Sequence, residues 1–120
     1  MGTFNIEINL GNQECERWTP IQAMIDTGAF LSSAPASILR DLGISPIRRQ
    51  GFRFADGSTK QMEVGEVRIR IDGREATTQV VFNDEDTHPL LGTLALEELF
   101  LVVDPIARRL VPMDDIIWGR

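Results

Sequence analysis

Met24-Ile25-Asp26-Thr27-Gly28-Ala29 is the stretch on which the reading of this chain turns. Ile21, Ala23 and Ile25 alternate with polar or larger neighbours, the period of two expected of a half-buried strand. That strand runs straight into Asp26, a small hydroxyl residue and a glycine, so a carboxylate stands where apolar chain opens into a tight loop. Gly28 permits a backbone geometry that a side chain would block, and Thr27 offers a hydroxyl to tie the loop down. Alone, the tripeptide also fits an ordinary strand-ending turn, because Asp and Gly favour turns.

Working outward, Phe4, Ile6, Ile8 and Leu10 alternate with Asn5, Glu7 and Asn9, another half-buried strand, and Gly11-Asn12 marks its turn. Downstream, Pro35 suits the first position of a short helix with Ser33 as its cap; Ile38, Leu39 and Leu42 share a face and Gly43 stops it. From Phe52 to Phe82 the pattern returns to β. Asp56-Gly57 and Asp72-Gly73 each interrupt alternating segments as hairpin turns, which want positive φ at both positions. Asn83 to Asp86 reads as an acidic loop, and Thr93 as the cap of a second helix, Leu94 to Leu99. Phe100 to Val103 and Arg109 to Val111 close the chain as strands. About seven short strands and two brief helices predict a mostly-β barrel or sandwich, one domain over residues 1–120.

Composition narrows the chemistry. The 120 residues are 42% apolar and 25% charged, with a formal net charge of −6, ordinary for a soluble globular protein. Arg48, Arg49 and Arg53 are flanked by Asp41 and Asp56 and read as solvated surface, so neither nucleic acid nor an anionic membrane is expected as a partner. Cys15 and His88 are the only residues of their types, too few for a metal site and poorly matched to a thiol protease. His88 reads as a surface residue, Trp18 and Trp118 as packing. Met1 to Asn5 carries no charged leader, and no apolar run reaches the roughly 18 residues of a membrane span, so a cytoplasmic location is expected.

In series, these segments resemble the retropepsin-like aspartic proteases. The family's apolar-apolar-Asp-Thr/Ser-Gly-Ala/Ser motif is matched by Met24 to Ala29. Leu42-Gly43-Ile44 matches its helix ending, Phe52 to Met62 its flap hairpin, and Leu90-Leu91-Gly92 the apolar-apolar-Gly element before a helix. The likeness covers roughly Phe4 to Val111, and four elements in order are more specific than one. The resemblance implies a retropepsin-like closed β-barrel with one or two short helices, hydrolysing peptide bonds without metal or cofactor. It makes Asp26 the catalytic carboxylate, with Thr27, Gly28, Ala29, Leu90, Leu91 and Gly92 supporting it. The substrate-binding flap falls on Ala55, Asp56, Gly57 and Ser58.

Such chemistry needs one carboxylate as general base and one acid, and two carboxyls a few ångströms apart share a proton and fill both roles. Only one Asp-Thr-Gly is present, so the resemblance implies a homodimer acting on peptide or protein substrate, with Asp26 of a second copy completing the pair. Some features depart from the family. There is no tyrosine for the flap, its tip has a single glycine, and Asp56 there favours basic substrate or simply faces solvent. Ala29 replaces the Ser of pepsin-like relatives, which implies an activity optimum at higher pH. The tail from Asp114 to Trp118 is expected at the dimer interface. A non-catalytic module of this fold, binding peptides or dimerising other proteins, is the alternative function.

Overall fold

A computed structural model describes residues 3–113; the expectations for Trp118 and the C-terminal tail lie outside them. Nine strands and two short helices follow in order: β1 (Phe4–Gly11), β2 (Trp18–Ile25), β3 (Ser32–Pro35), α1 (Ala36–Asp41), β4 (Arg48–Arg53), β5 (Thr59–Ile71), β6 (Arg74–Asn83), β7 (Leu90–Leu91), α2 (Thr93–Glu98), β8 (Leu101–Asp104) and β9 (Arg109–Pro112). Seven strands share one sheet in the order β1-β2-β7-β3-β6-β5-β4. Strand β1 also pairs with β5 through Asn9–Gly11, so six of the seven close into a ring. Strands β8 and β9 form a separate antiparallel pair. The mostly-β expectation with two short helices holds, and the ring is compatible with a barrel. Among the described residues, no helix is long and apolar enough to cross a membrane.

The inward residues of β1 (Ile8, Leu10), β2 (Ala23, Ile25), β5 (Val67, Ile69, Ile71) and β6 (Val80, Phe82) fill the ring with Leu91 of β7 and Leu39 of α1. Ala95 and Leu96 of α2 plug one side. Strand β5 has a second role. Its Val67, Ile69 and Ile71 face this core, while Met62 and Val64, on the opposite face, form a small cluster with Val81, Leu31 and Phe52. The phase changes across Gly65, which lies so close to Phe82 that a Cβ would come within 2.9 Å of its ring. One edge of β5 carries β6; the other is shared by β4 over Thr59–Val64 and by β1 over Arg68–Arg70.

The turns follow local chemistry. Asp72 and Gly73 both have positive φ (51° and 80°), the two-residue turn expected of Asp-Gly. At Asp56-Gly57 only Gly57 is positive (89°), and its N–H donates to the Phe54 carbonyl at 2.9 Å. This hairpin is therefore a three-residue loop ending in a left-handed glycine, not the two-position turn read from the sequence. Gly43 (φ 83°) stops α1: its N–H reaches Arg40 O and that of Ile44 reaches Leu39 O, both at 2.9 Å, a Schellman arrangement.

The start of α1 corrects the sequence reading. Pro35 ends β3 with φ −56° and ψ 137°, one residue before the helix, and Ser33 is buried in the strand rather than capping. The orphan N–H of Ser37 is satisfied from outside, by Glu85 at 2.9 Å, and the Ser37 hydroxyl donates to the same carboxylate. The Ser37 contacts hold the Glu85 carboxyl below its ordinary value. Thr93 is the first residue of α2, not its cap, which is Gly92. Trp18 is half-buried: it packs over Gly11, with the Arg70 guanidinium 4.0 Å from its ring centre.

Candidate active site

Strand β2 delivers Asp26, and two-residue β7 holds the delivery point in place. β7 pairs parallel with β2 (Met24 with Leu90, Ile25 with Leu91) and antiparallel with β3 (Ser33 with Leu90). It is thus inserted between the two strands that flank the loop 26–31. The Met24 N–H donates to Pro89 O at 2.9 Å and the Asp26 N–H to Leu91 O at 3.2 Å. From the other side, Thr93 and Leu94 at the start of α2 donate to the carbonyls of Ala29 (2.9 Å) and Phe30 (3.0 Å). The loop is therefore fixed by backbone bonds on both flanks, a rigid seat for a reactive group.

Inside the loop, Gly28 donates its N–H to Asp26 Oδ1 at 2.9 Å, and Ala29 donates to the Asp26 carbonyl at 3.0 Å. These bonds close the loop, not the Thr27 hydroxyl, since Thr27 is exposed. Gly92 fits beneath. Its N–H donates to the buried Ser32 Oγ at 3.0 Å, and a Cβ there would stand 2.6 Å from both Phe30 O and Leu31 C. Leu91 is fully buried and Leu90 half-buried, so the Leu90-Leu91-Gly92 element lies directly against the loop, where the sequence placed it.

The half-buried Asp26 borders a cleft of about 760 Å³. Its floor includes Gly28, Ala29 and Leu90; the apolar walls are Phe30, Leu31, Met62 and Val81; the β4–β5 hairpin overhangs it through Phe52, Phe54 and Ala55. Among the described residues, Asp26 is the single acidic one of this lining. Of the four residues assigned to the flap, Ala55 lines the cleft, while Asp56, Gly57 and Ser58 do not. The Asp72-Gly73 turn borders a different cavity beside Ile6 and Arg108.

Asp56 is exposed at the hairpin tip and outside the cleft lining. Its carboxylate accepts from the Ser58 N–H (2.9 Å) and hydroxyl (2.6 Å), which hold its carboxyl below the ordinary carboxylate value. The three arginines read as solvated surface are all exposed, and two of them also border the cleft. β4 begins at Arg48, four residues earlier than its apolar alternation suggests, and Arg48 and Arg53 both line the cleft. Phe30, Arg48, Met62 and Gln79 are cleft residues that the motifs did not single out.

On its open side the loop meets a second feature. Exposed Thr27 joins Leu96, Leu101, Val102, Val103 and Met113 around an apolar groove of about 370 Å³. His88 and Cys15 stay apart from the cleft: His88 lies within 3.3 Å of Asn5 Oδ1 on the surface, and Cys15 is an exposed thiol in the β1–β2 turn.

A family model described as aspartyl protease matches residues 5–94, three-quarters of the chain and every strand from β2 to β7. The chain belongs to the aspartyl protease family. The protease is also similar in fold to retroviral enzymes and a bacterial one. The protease of equine infectious anaemia virus (EIAV), solved with an inhibitor, is 21% identical, covers 82% of this chain over 88% of its own, and gives a TM-score of 0.61. Simian foamy virus protease is 21% identical over 78% of this chain and 92% of its own, with a TM-score of 0.56. A retropepsin-like aspartic protease from Rickettsia conorii is 19% identical over 87% and 86%, also at 0.56. No curated protein matches the protease in sequence. At these identities the structural likeness establishes the fold: the protease is retropepsin-like.

Proposed function

We propose that this chain is an aspartic endopeptidase acting as a homodimer, with Asp26 of each copy forming one dyad around a bound water. The observation that carries the reading is that, among the described residues, Asp26 is the only carboxylate bordering its cleft, while its own loop lies open on one side at exposed Thr27 and Gly28. A single ionised carboxylate can act as base, but it cannot also donate a proton to the scissile carbonyl. A second copy across a two-fold axis supplies the missing acid, and close approach makes the two carboxyls share one proton. The apolar groove beside Thr27 gives that copy a surface to bury.

Each assigned residue then has a role. Asp26 activates the water, and the Gly28 N–H steadies its carboxylate. Thr27 faces the partner; Ala29, Leu90, Leu91 and Gly92 fix the loop. Ala55 to Ser58 form the flap tip, with Ala55 toward substrate. β4 ends the sheet order, so its outer edge has no strand partner among the described residues. An extended peptide can align along it by backbone pairing while apolar side chains fill the walls around Met62 and Val81. One domain over residues 1–120 and a cytoplasmic location belong to the same proposal.

The test combines turnover with mass. A blocked apolar peptide is expected to be cut, the cut to be inhibited by a pepstatin-like transition-state mimic, and Asp26→Asn to abolish cutting while the melting curve stays cooperative. Cutting should appear only at concentrations where sedimentation shows two chains. Activity from a monomer, or undiminished activity in Asp26→Asn, would refute the proposal.

A further inference from the structure

Two exposed arginines, Arg48 and Arg53, border the cleft, and of the two Arg48 is the one that the register of β4 places on the same face as the apolar cluster. In register, Arg48 of β4 lies opposite Val64 of β5, which lies opposite Val81 of β6. It therefore shares a face with the Met62–Val64–Val81 cluster, not with the outer face of the hairpin. Its guanidinium crosses to β6, where Nη2 donates to Gln79 Oε1 at 2.7 Å, and Nε donates to Gln50 Oε1 at 3.3 Å. Arg48, Gln50 and Gln79 all line the cleft that Asp26 borders.

Both acceptors are neutral amides. They orient the guanidinium but leave its charge intact. Among the described residues the ion pairs are Arg40–Glu63, Lys60–Asp84, Arg68–Glu75 and Arg70–Glu75, and none involves Arg48. Two of the five guanidinium N–H groups are engaged, so three remain, including one on each terminal nitrogen, the fork that fits a carboxylate. A cation held this way in a chain of net charge −6 is a local exception, and among the described residues its cleft is lined by no carboxylate but Asp26.

Resting on the endopeptidase reading above, we infer that Arg48, oriented by Gln50 and Gln79, is a specificity-determining residue that takes an acidic side chain of the substrate. The substrate class is then a peptide with apolar residues at the cut and Asp or Glu displaced toward the β4 end of the cleft. Arg48 and the apolar walls line one cleft, so one extended chain meets both. Charge complementarity fixes the register of the peptide, and hence which bond reaches Asp26.

The experiment uses the full chain and peptides blocked at both ends, identical in their apolar centre and carrying Glu, Gln or Lys at each flanking position in turn. Cleavage by the native chain and by Arg48→Met and Arg48→Glu is read as kcat/KM. Binding of the same peptides to Asp26→Asn, with and without the Arg48 substitutions, is read by fluorescence anisotropy. At one flanking position the native chain should prefer Glu over Gln by roughly five- to tenfold, the size of a partly exposed, well-oriented ion pair. The preference should vanish in Arg48→Met, turn toward Lys in Arg48→Glu, and shrink as salt rises. Each preference is a ratio within one variant, so a loss of folded protein cancels. Equal cutting of Glu and Gln peptides at every position, or a Glu preference surviving in Arg48→Met, overturns the inference and leaves the endopeptidase standing. Arg48-dependent binding without cutting by the native chain upholds the acidic-ligand site and overturns the endopeptidase. Neither binding nor cutting overturns both.

Discussion

Gly92→Ala isolates the contact that seats the catalytic loop. Gly92 has φ −91° and ψ 173°, extended backbone that alanine adopts freely, so the substitution brings no conformational strain. The cost is purely steric. The new methyl would lie 2.6 Å from Phe30 O and Leu31 C and 2.7 Å from Leu31 O, against 3.4 Å for ordinary contact. The gap to be opened is therefore about 0.8 Å. All three atoms are backbone, fixed in turn by the Leu94 to Phe30 bond, so no rotamer change relieves the clash. Overpacking of this kind costs about 1–3 kcal/mol. If the shift also breaks the buried Gly92 to Ser32 bond, the unpaired groups add about 1–3 kcal/mol.

A total of about 2–6 kcal/mol lowers Tm by about 8–24 °C in a chain of this size. The displaced segment is continuous with Asp26, and misplacement of a reacting group by about 1 Å costs on the order of a hundredfold in rate. Gly43→Ala is the control. Its φ of 83° makes alanine strained, but nothing lies within 4 Å and the site is distant, so it should cost about 1 kcal/mol with kcat unchanged. The assay is calorimetry alongside kcat/KM on one apolar peptide, with the folded fraction measured for each variant. A Gly92→Ala protein melting within about 2 °C of the native one and cutting at the native rate would refute the reasoning.

Glu85→Gln should remove an acid-sensitive tether. The Ser37 contacts lower the folded pKa of Glu85, so its stabilisation is present above the ordinary glutamate value of 4.5 and is lost as pH falls through the folded value. The Tm gap between native protein and variant should be widest near pH 6 and close on acidification; a constant gap from pH 7 to pH 3 would argue against the tether. Val102→Asp tests the groove beside Thr27. Val102 is 38% exposed in the protomer, so its charge should leave protomer stability within about 0.5 kcal/mol. If a partner covers the groove, burying that charge unpaired should weaken dimerisation at least about tenfold, seen as a concentration shift in sedimentation and in activity together. An unchanged dimer would place the interface elsewhere.

Much of the site was legible because its elements carry strong local signals. The alternation of Phe4–Leu10 and Ile21–Ile25 marks two strands, and Asp72-Gly73 turns where its two positive-φ residues demand. β3 and β7 were not legible. Strands of four and two residues show no periodicity, and both form in part by parallel pairing with partners far along the chain. That pairing is what inserts β7 between the flanks of the Asp26 loop, so Leu90-Leu91-Gly92 was visible as a motif but not as the strand that anchors the site. The cap of α1 escaped for the same reason: its acceptor, Glu85, lies 48 residues away.

The place of exposed Arg48 at the cleft was missed for a different reason, and its signal was present. Apolar residues in β5 occupy even positions at Met62 and Val64, then odd ones at Val67, Ile69 and Ile71, with Gly65 between. A strand with one buried face keeps one phase; a strand that changes phase without a bulge must bury opposite faces at its two ends. The β5–β6 pairing is unbroken from Val64 to Ile71, so there is no bulge. The even-numbered end therefore had to meet a second apolar surface, and whatever strand paired with it there would share that surface. β4 supplies Arg48, Gln50 and Phe52 to that face and leaves Arg49 and Arg53 on the other. Three arginines that composition treats alike are thus divided by register: Arg48 shares the face of the apolar cluster with its charge unspent, while Arg49 and Arg53 start from the other face, Arg53 still reaching the cleft's border near the hairpin tip.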